Sequence, residues 1–222
     1  IYGESPYKSP TDMGVNMAGN CICDDEACRE ASKQEIIRRY FDALNALAKG
    51  STSEKEAQKI ELLMNMAGIT VTDRKVVIKA LERAKETDGP AAALELRDGR
   101  IITGKTTNLL GASAALLLNV LKVLAGIDHE THIISPESIE PIQKLKVDYL
   151  KSKNPRLHTD EVLIALSASA ATNPQARLAL SQLPELAGCQ AHTSVMLSDV
   201  DIKIFKKLEV QLTSEAVYEH AL

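Results

Sequence analysis

The chain has 222 residues, and its 26 lysines and arginines against 30 aspartates and glutamates give a formal net charge of −4 at pH 7. Hydrophobic residues make up 45% of the chain and aromatic residues only 3%, so the core must consist mainly of leucine, isoleucine, valine and alanine. These proportions exclude a disordered chain, and the mild acidity argues against a general binder of nucleic acid or of anionic membranes.

The sequence also favours a cytoplasmic protein. The first 20 residues lack the apolar segment of a signal peptide. The most apolar stretch, 109–125, contains Asn119 and Lys122, so we interpret it as a buried helix rather than a membrane span. Because the chain begins at Ile1 within a loop-like segment, we expect it to be part of a longer polypeptide.

Helices dominate the predicted N-terminal part. Residues 1–22 show neither helical nor strand periodicity and are expected to form an extended arm. Apolar stripes at helical spacing then predict amphipathic helices at 24–49, 54–67 and 72–87. Because only short links join these helices, they indicate a helical subdomain over 23–90.

A hairpin opens the second part of the chain. Two strand-like runs, 92–97 and 100–104, flank the Asp-Gly dipeptide at 98–99, which is typical of tight hairpin turns. A two-residue turn places Leu96 opposite Ile101, so that one side of the hairpin is apolar.

The remaining elements complete an α/β subdomain over 91–222. An apolar helix is predicted at 111–125 and should lie against the hairpin. The elements that follow are a strand at 132–135, helices at 136–151, 160–171 and 174–183, a strand at 191–197, a short helix from 199 and a strand at 209–213. We therefore predict an α+β fold whose α/β subdomain has a small mixed sheet of cytidine-deaminase-like topology, without the zinc site.

The zinc chemistry of cytidine deaminases is not expected. Those enzymes use an H-x-E motif and a P-C-x-x-C motif to hold zinc and to move protons. No histidine of this chain is followed two positions later by glutamate, and no C-x-x-C is present. We predict no metal site, with a thiol site for a soft metal at the first three cysteines as the alternative. The cysteines are Cys21, Cys23, Cys28 and Cys189.

A phosphate-loop pattern at 99–106 fails its structural context. The sequence matches G-x4-G-K-[ST], in which backbone amides surround phosphates and a helix begins at the lysine. Here isoleucines between the glycines prefer a strand, and Gly99 serves the hairpin turn. We retain Lys105 and Thr106, at the end of the strand, as candidate anion-binding residues.

A second candidate site precedes a predicted helix. Arg156 and His158 lie in the sequence NPRLHTD, immediately before the predicted cap Thr159. Amides and the dipole at a helix N-terminus attract anions. We predict that Arg156 binds an anion and that His158 donates or transfers a proton; the alternative is an ordinary capped turn with surface charges.

The N-terminal arm adds three polar candidates. Thr11, Asp12 and Asn16 surround a glycine and offer donors and acceptors. Thr11 and Asn16 are predicted to bind the anion, and Asp12 is predicted to act as a base or to bind a metal. The alternative is a turn rich in polar residues.

Other histidines are weaker candidates. His192 and Ser194 combine a base with a nucleophile, but no third group that would orient them can be identified. His129 and His132 have a spacing that suits a metal, although they lie in a predicted loop.

Five longer blocks of sequence carry a resemblance. The blocks are SPYKSPTDMGVNM at 5–17, EASKQEIIRRY at 30–40, KIELLMN at 59–65, TGKT at 103–106 and NPRLH at 154–158. Together they resemble the C-terminal half of a bacterial family catalogued as domain of unknown function 1846. The resemblance implies a cytosolic protein whose preceding half carries a Gly-rich, phosphate-loop-like stretch, and it implies no accepted reaction or catalytic residue.

Two functions from different classes follow as hypotheses. In the first, the segment is half of an enzyme for a nucleotide or phosphorylated ligand, bound in a cleft that faces the N-terminal half of the same polypeptide. Lys105 and Arg156 hold the anion, His158 moves a proton, and Asp12 acts as base. In the second, the segment is a non-catalytic interaction or oligomerisation module. We expect a homo-oligomer, and neither nucleic acid nor membrane as partner.

Overall fold

The structure is a computed structural model that describes residues 24–219 of the chain. Over this range the chain has an α+β fold of eight α-helices and one small mixed sheet. The elements are α1 (Asp25–Ala48), α2 (Glu54–Ala67), α3 (Lys75–Thr87), β1 (Ala91–Glu95), β2 (Ile101–Lys105), α4 (Ala112–Leu124), α5 (Pro136–Lys144), α6 (Thr159–Ser169), α7 (Pro174–Leu180), β3 (Gln190–Thr193), α8 (Asp199–Lys207) and β4 (Gln211–Ser214). Within residues 24–219, no helix combines the length and the apolar character needed to cross a lipid bilayer.

The first two helices pack against each other around a small apolar cluster. Ile37 and Phe41 of α1 are buried there with Met64 of α2. The side chain of Asp24 accepts a hydrogen bond from the Ala27 amide at 2.9 Å, which caps the start of α1. The apolar periodicity predicted both helices to within one residue at each end.

The sheet has the strand order β2-β1-β3-β4. β1 is antiparallel to both of its neighbours, and β3 runs parallel to β4. Helices cover both faces of β1: Ala93 packs with Val76 and Ala80 of α3, whereas Leu94 belongs to the main core that includes α4. The small alanine side chains of β1 let both helices approach closely.

The hairpin between β1 and β2 differs from its predicted register by one residue. The amide of Leu96 donates to the carbonyl of Arg100 at 2.9 Å, and Leu94 therefore pairs with Ile102. The predicted pairing of Leu96 with Ile101 is wrong, because the turn contains three residues instead of two. Gly99, with φ of +84°, occupies the left-handed position that such a turn requires.

Gly104 lets α4 lie directly on β2. A Cβ atom at this position would stand 2.2 Å from the backbone nitrogen of Leu116 and 2.9 Å from the carbonyl oxygen of Ala112. The second glycine of the phosphate-loop pattern is therefore a packing residue within a strand. The next helix begins at Ala112 and not at Lys105, so the pattern does not form a phosphate loop.

Two predicted elements of the second half differ in the structure. The strand predicted at residues 132–135 is wrong: the segment is a loop that pairs with no strand of the sheet within residues 24–219, and its Ile133 and Ile134 are both buried in the main core. The helix predicted to reach residue 151 changes at Leu145 into a π-helical turn, Leu145–Tyr149.

Candidate functional site

Three of the predicted site residues line one small cavity of about 70 Å³. They are Thr106, Arg156 and His158. Lys105 instead lines a separate cavity, because neighbouring residues of an extended segment point to opposite sides. Thr11, Asp12 and Asn16 lie outside the described residues. The residues predicted to bind one anion therefore line two cavities: Thr106, Arg156 and His158 line the small one, and Lys105 lines the other.

The small cavity lies where the first turns of three helices meet. Its lining includes Gly111 and Ser113 at the start of α4, His158 immediately before α6, and Ser198 immediately before α8. A short parallel bridge holds the first two segments together, because the Gly111 amide donates to the carbonyl of Leu157 at 3.2 Å. Positive ends of three helix dipoles therefore face the same small space.

A histidine–aspartate pair forms the centre of this site. His158 Nδ1 lies 3.0 Å from Asp201 Oδ2, which also accepts a hydrogen bond from Ser198 Oγ at 2.7 Å. The other carboxylate oxygen, Oδ1, accepts from the backbone nitrogen and the hydroxyl of Thr159 at 2.9 and 2.8 Å. The Asp201 side chain is only 5% exposed, so four donors hold a nearly buried carboxylate.

The contact between His158 and Asp201 shifts the pKa values of both side chains in opposite directions. Burial disfavours ionisation of Asp201, but the hydrogen bonds from His158, Thr159 and Ser198 outweigh it and lower the pKa of the carboxyl to about 2. The hydrogen bond to Asp201 raises the pKa of His158, against the opposing effect of burial. Nε2 of His158 has no hydrogen-bond partner among residues 24–219, and 31% of the side chain is exposed.

A buried ion pair fixes the backbone of the segment that carries His158. Lys146 lies in the π-helical turn and donates both to the carbonyl of Arg156 at 2.6 Å and to Glu161 Oε2 at 2.7 Å. The same carboxylate oxygen accepts the amide of His158 at 2.8 Å. Single π-helical turns are frequent at functional sites, and this one directs a lysine at the candidate residues.

The guanidinium of Arg156 already has an ion-pair partner and a hydrogen-bond acceptor. Its Nη1 lies 2.6 Å from Glu219 Oε1, and its Nε donates to the carbonyl of Thr107 at 3.1 Å. An anion that enters the cavity must therefore compete with Glu219 for the guanidinium. The buried hydroxyl of Thr106, by contrast, has no hydrogen-bond partner within the described range.

Sequence reasoning did not identify the partner of His158. Asp201 lies 43 residues further along the chain, so a search for local motifs does not reveal its contact with His158. A usable signal was the S-x-x-D spacing of Ser198 and Asp201, which marks a helix start that can present a carboxylate. Across residues 24–219 no cluster of three or more histidine, cysteine, aspartate or glutamate side chains is arranged to hold a metal.

His192 does not form a nucleophile–base pair with Ser194. Its ring is fully buried, its Nδ1 lies 2.8 Å from the hydroxyl of Thr213, and Phe41 packs on it at 4.9 Å between ring centroids. Burial lowers the pKa of His192 against the opposing effect of Glu215, whose Oε1 lies 3.3 Å from Nε2. Ser194 Oγ accepts the amide of Ala91 at 3.0 Å and so supports the start of β1.

Comparison with known proteins gives the family of the chain. Residues 1–68 match the model for the N-terminal region of domain of unknown function DUF1846, and residues 72–222 match the model for its C-terminal region. The chain therefore contains more than the C-terminal region alone.

Curated relatives agree with these matches. A UPF0371 protein of Corynebacterium urealyticum is 58% identical over 218 residues, which cover 98% of this chain and 44% of the relative. A UPF0371 protein of Corynebacterium aurimucosum is 60% identical over 218 residues, which again cover 98% of this chain and 44% of the relative. A Streptococcus thermophilus relative is 51% identical over 220 residues, 99% of this chain and 44% of its own length. The chain thus spans less than half the length of these relatives, and it belongs to the DUF1846 family.

Proposed function

We propose that this chain carries the proton-transferring, anion-binding part of an enzyme that acts on a phosphorylated or nucleotide ligand. The observation that carries the proposal is the His158–Asp201 pair, which leaves one imidazole nitrogen available beside a cavity. An aspartate that holds Nδ1 fixes the tautomer of a histidine and makes Nε2 the end that exchanges protons.

The surroundings favour a negatively charged ligand. The first turn of α4 has no side-chain cap, so its amides at Ala112 and Ser113 remain available as donors next to the cavity. Thr106 adds a buried hydroxyl, and Arg156 adds a guanidinium once Glu219 yields to the ligand. In this arrangement protonated His158 donates its proton to an oxygen of the departing group, while Asp201 stabilises the imidazolium.

The cavity itself suits only part of such a ligand. A space of about 70 Å³ is far smaller than the 300–1,000 Å³ typical of complete ligand pockets. The proposal therefore assigns this site to the reacting phosphate or carboxylate. The rest of the ligand would lie between this chain and the N-terminal half of a longer polypeptide.

The strand order supports a deaminase-like topology as part of the same proposal. The strand order is β2-β1-β3-β4, with β1 antiparallel to both of its neighbours and β3 parallel to β4, and such a mixed sheet is compatible with that topology. The chain lacks the H-x-E and C-x-x-C motifs of zinc deaminases, so the chemistry that we propose is proton transfer without zinc.

A second candidate is the non-catalytic interaction module. Large apolar side chains of α2 support it, because Leu62 is 61% exposed, Leu63 49% and Met66 78%. Side chains of this size on one helix suit a protein contact. This candidate predicts association through α2 and no ligand at the His158 site.

Thermal unfolding with phosphate ligands tests the first proposal. The chain, and in parallel the longer relative from C. urealyticum, is heated with inorganic phosphate, nucleoside monophosphates and sugar phosphates. A ligand at a hundred times its Kd stabilises the folded state by about 2.7 kcal/mol. We expect this stabilisation in the unmodified chain and in Lys59→Gln, and its loss in His158→Gln.

Two results would contradict the enzyme proposal. One is the absence of stabilisation by every phosphate ligand with both proteins. The other is a stabilisation that His158→Gln leaves intact. Lys59→Gln is the control, because Lys59 is 70% exposed and lines neither the small cavity nor the cavity that Lys105 lines.

A further inference from the structure

A second cavity, of about 570 Å³, lies beside β2 and is lined by basic side chains. We call it the edge cavity, because β2 is an outer strand of the sheet. Arg83 comes from α3 on one face of the sheet, Lys122 from α4 on the other face, and Lys105 from the end of β2 itself. His129 and His132 complete the basic set, and no aspartate or glutamate of residues 24–219 is among its lining residues.

Lys122 is a cation without a counter-ion in contact. The residue is 9% exposed, and its Nζ donates to the carbonyl oxygen of His129 at 2.7 Å. No carboxylate oxygen within the described range lies within ion-pair distance, and burial lowers the pKa of the ammonium despite the fields of Asp128 and Glu130. A buried ammonium normally has such a partner, so an anion in the edge cavity would stabilise it.

Two further donors lack partners at the same place. Nε of Arg83 is buried and has no acceptor within the described part of the chain, while Nη1 of the same side chain pairs with exposed Glu86 at 3.0 Å. The Thr106 amide donates to the carbonyl of Pro90, so the amide of the preceding residue, Lys105, turns away from β1 toward the free edge. Both add N–H groups to the basic side chains.

Part of the wall of the edge cavity is apolar. Leu118 of α4, Leu109 and the loop residues Ile133 and Ile134 line it. A volume of about 570 Å³ with a mostly apolar lining and a few convergent polar groups is the usual composition of a small-molecule site. Basic and apolar side chains together suit a ligand that has both a charged group and an apolar body.

We propose that the edge cavity binds a small organic oxyanion, a phosphate monoester or a carboxylate, whose apolar body lies against the isoleucine and leucine wall. Its oxyanion contacts Lys105, Lys122 and Arg83. The site is separate from the His158 cavity, because Lys105 and Thr107 line the one while Thr106 lines the other. The proposal therefore does not depend on the function proposed for His158.

Isothermal titration with simple probes tests this proposal. Phenyl phosphate and phenylacetate carry the two oxyanions on the same apolar body, and inorganic phosphate and phenol each carry one half of the first probe. We expect at least one of the two complete probes to bind, and each half probe to bind at least tenfold more weakly. Lys105→Met and Lys122→Met should each weaken binding about tenfold, as expected for the loss of a hydrogen bond to a charged group.

Two controls separate this site from the rest of the chain. Lys85→Met removes an exposed lysine of α3 that does not line the cavity, and it should leave binding unchanged. His158→Gln should also leave it unchanged. Lys105 is exposed, so its replacement is not expected to affect folding, and this variant keeps the test valid even if Lys122→Met is unstable.

The outcomes are decisive in both directions. Binding that is weakened about tenfold in Lys105→Met and unchanged in Lys85→Met and His158→Gln supports the proposal, and the stronger of the two complete probes identifies the preferred oxyanion. The proposal is wrong if neither complete probe saturates up to about 10 mM, a concentration that would detect a Kd of about 1 mM. It is also wrong if Lys105→Met has no effect, or if His158→Gln abolishes binding.

Discussion

The carboxylate of Asp201 accepts hydrogen bonds from both His158 and the start of α6. One oxygen accepts the first amide of α6 and the other faces the imidazole of His158, so the residue both caps a helix and orients a base. Such double use ties the position of the imidazole to the docking of α6 on α8. A change at Asp201 should therefore be visible in the titration of His158 and in the stability of the fold.

The first prediction concerns the imidazole. His158 should titrate above its ordinary pKa of 6.5, because ionised Asp201 stabilises the protonated ring. Asp201→Asn keeps a polar side chain of similar shape but removes the charge, so the pKa of His158 should fall. NMR of the histidine ring across pH 4 to 9 measures both values. Asp199→Asn, an exposed neighbour in the same helix, is the control, and equal His158 pKa values in all three proteins would refute the pairing.

The second prediction concerns stability in acid. The pKa of Asp201 is about 2 in the folded protein against 3.8 for the free group, so its ionisation stabilises the fold above pH 4 by about 2 kcal/mol. This contribution should disappear as the pH falls from about 4 to about 2. The raised pKa of His158 acts in the opposite direction: its contribution is present below pH 6.5 and is lost as the pH rises through the folded value.

Urea unfolding at several pH values checks this prediction. The difference in unfolding free energy between the unmodified chain and Asp201→Asn should shrink as the pH falls below 4. A difference that stays constant from pH 6 to pH 2 would show that the carboxyl is not held ionised. Asp199→Asn should follow the unmodified chain throughout, because its carboxylate is largely exposed.

At the scale of elements, α4 and β2 depend on one glycine. The backbone of α4 lies so close to Gly104 that no Cβ fits without moving Leu116. Gly104→Ala should therefore destabilise the protein by about 3 kcal/mol, the upper end of the usual cost of overpacking. Gly89→Ala is the matched control, because its nearest heavy atom would be 3.8 Å away. Urea unfolding of both variants measures the difference, and equal stabilities would contradict the close approach.

The elements also show where sequence patterns are informative. The apolar stripes placed α1 and α2 almost to the residue, because helix periodicity is repeated over many turns. The hairpin was predicted with its register wrong by one, since Asp98-Gly99 fits both a two-residue and a three-residue turn. Ile133 and Ile134 suggested a strand, but their burial comes from a loop packed on α4 and α5. Local pattern did not carry that tertiary information.

The candidate site was predictable only in part for the same reason. Arg156, His158 and Thr106 were identified because they lie in local motifs, and they line one cavity. Lys105 was assigned to the same group, but adjacent residues on an extended segment face opposite ways. Asp201 could not be found, because a pairing across 43 residues depends on how α6 and α8 pack.

At the scale of the whole molecule, Arg74 joins the helical part to the sheet. Its guanidinium is buried and donates to Gln34 of α1 at 3.1 Å, to Thr213 of β4 at 3.0 Å and to the carbonyl of Ala191 in β3 at 2.9 Å. Burial lowers the pKa of Arg74 to about 9, which still leaves the group charged at neutral pH. The side chain thus connects residues from both matched regions of the family, 1–68 and 72–222.

The last prediction tests this connection. Arg74→Met fills much of the same space but removes the guanidinium that donates to the oxygens of Gln34, Ala191 and Thr213, so we expect a loss of about 3–5 kcal/mol. Arg100→Met removes an arginine whose ion-pair partner within residues 24–219 is exposed Asp98, and it should cost no more than about 0.5 kcal/mol. Hydrogen exchange should also become faster in α1 of Arg74→Met before it does so in α4, because α1 loses one of its links to the sheet while α4 keeps its own core contacts. Equal exchange in both helices, or a stability equal to that of Arg100→Met, would mean that other contacts, such as those of Phe41 with His192 and of Asn45 with Ser214, hold the two parts together.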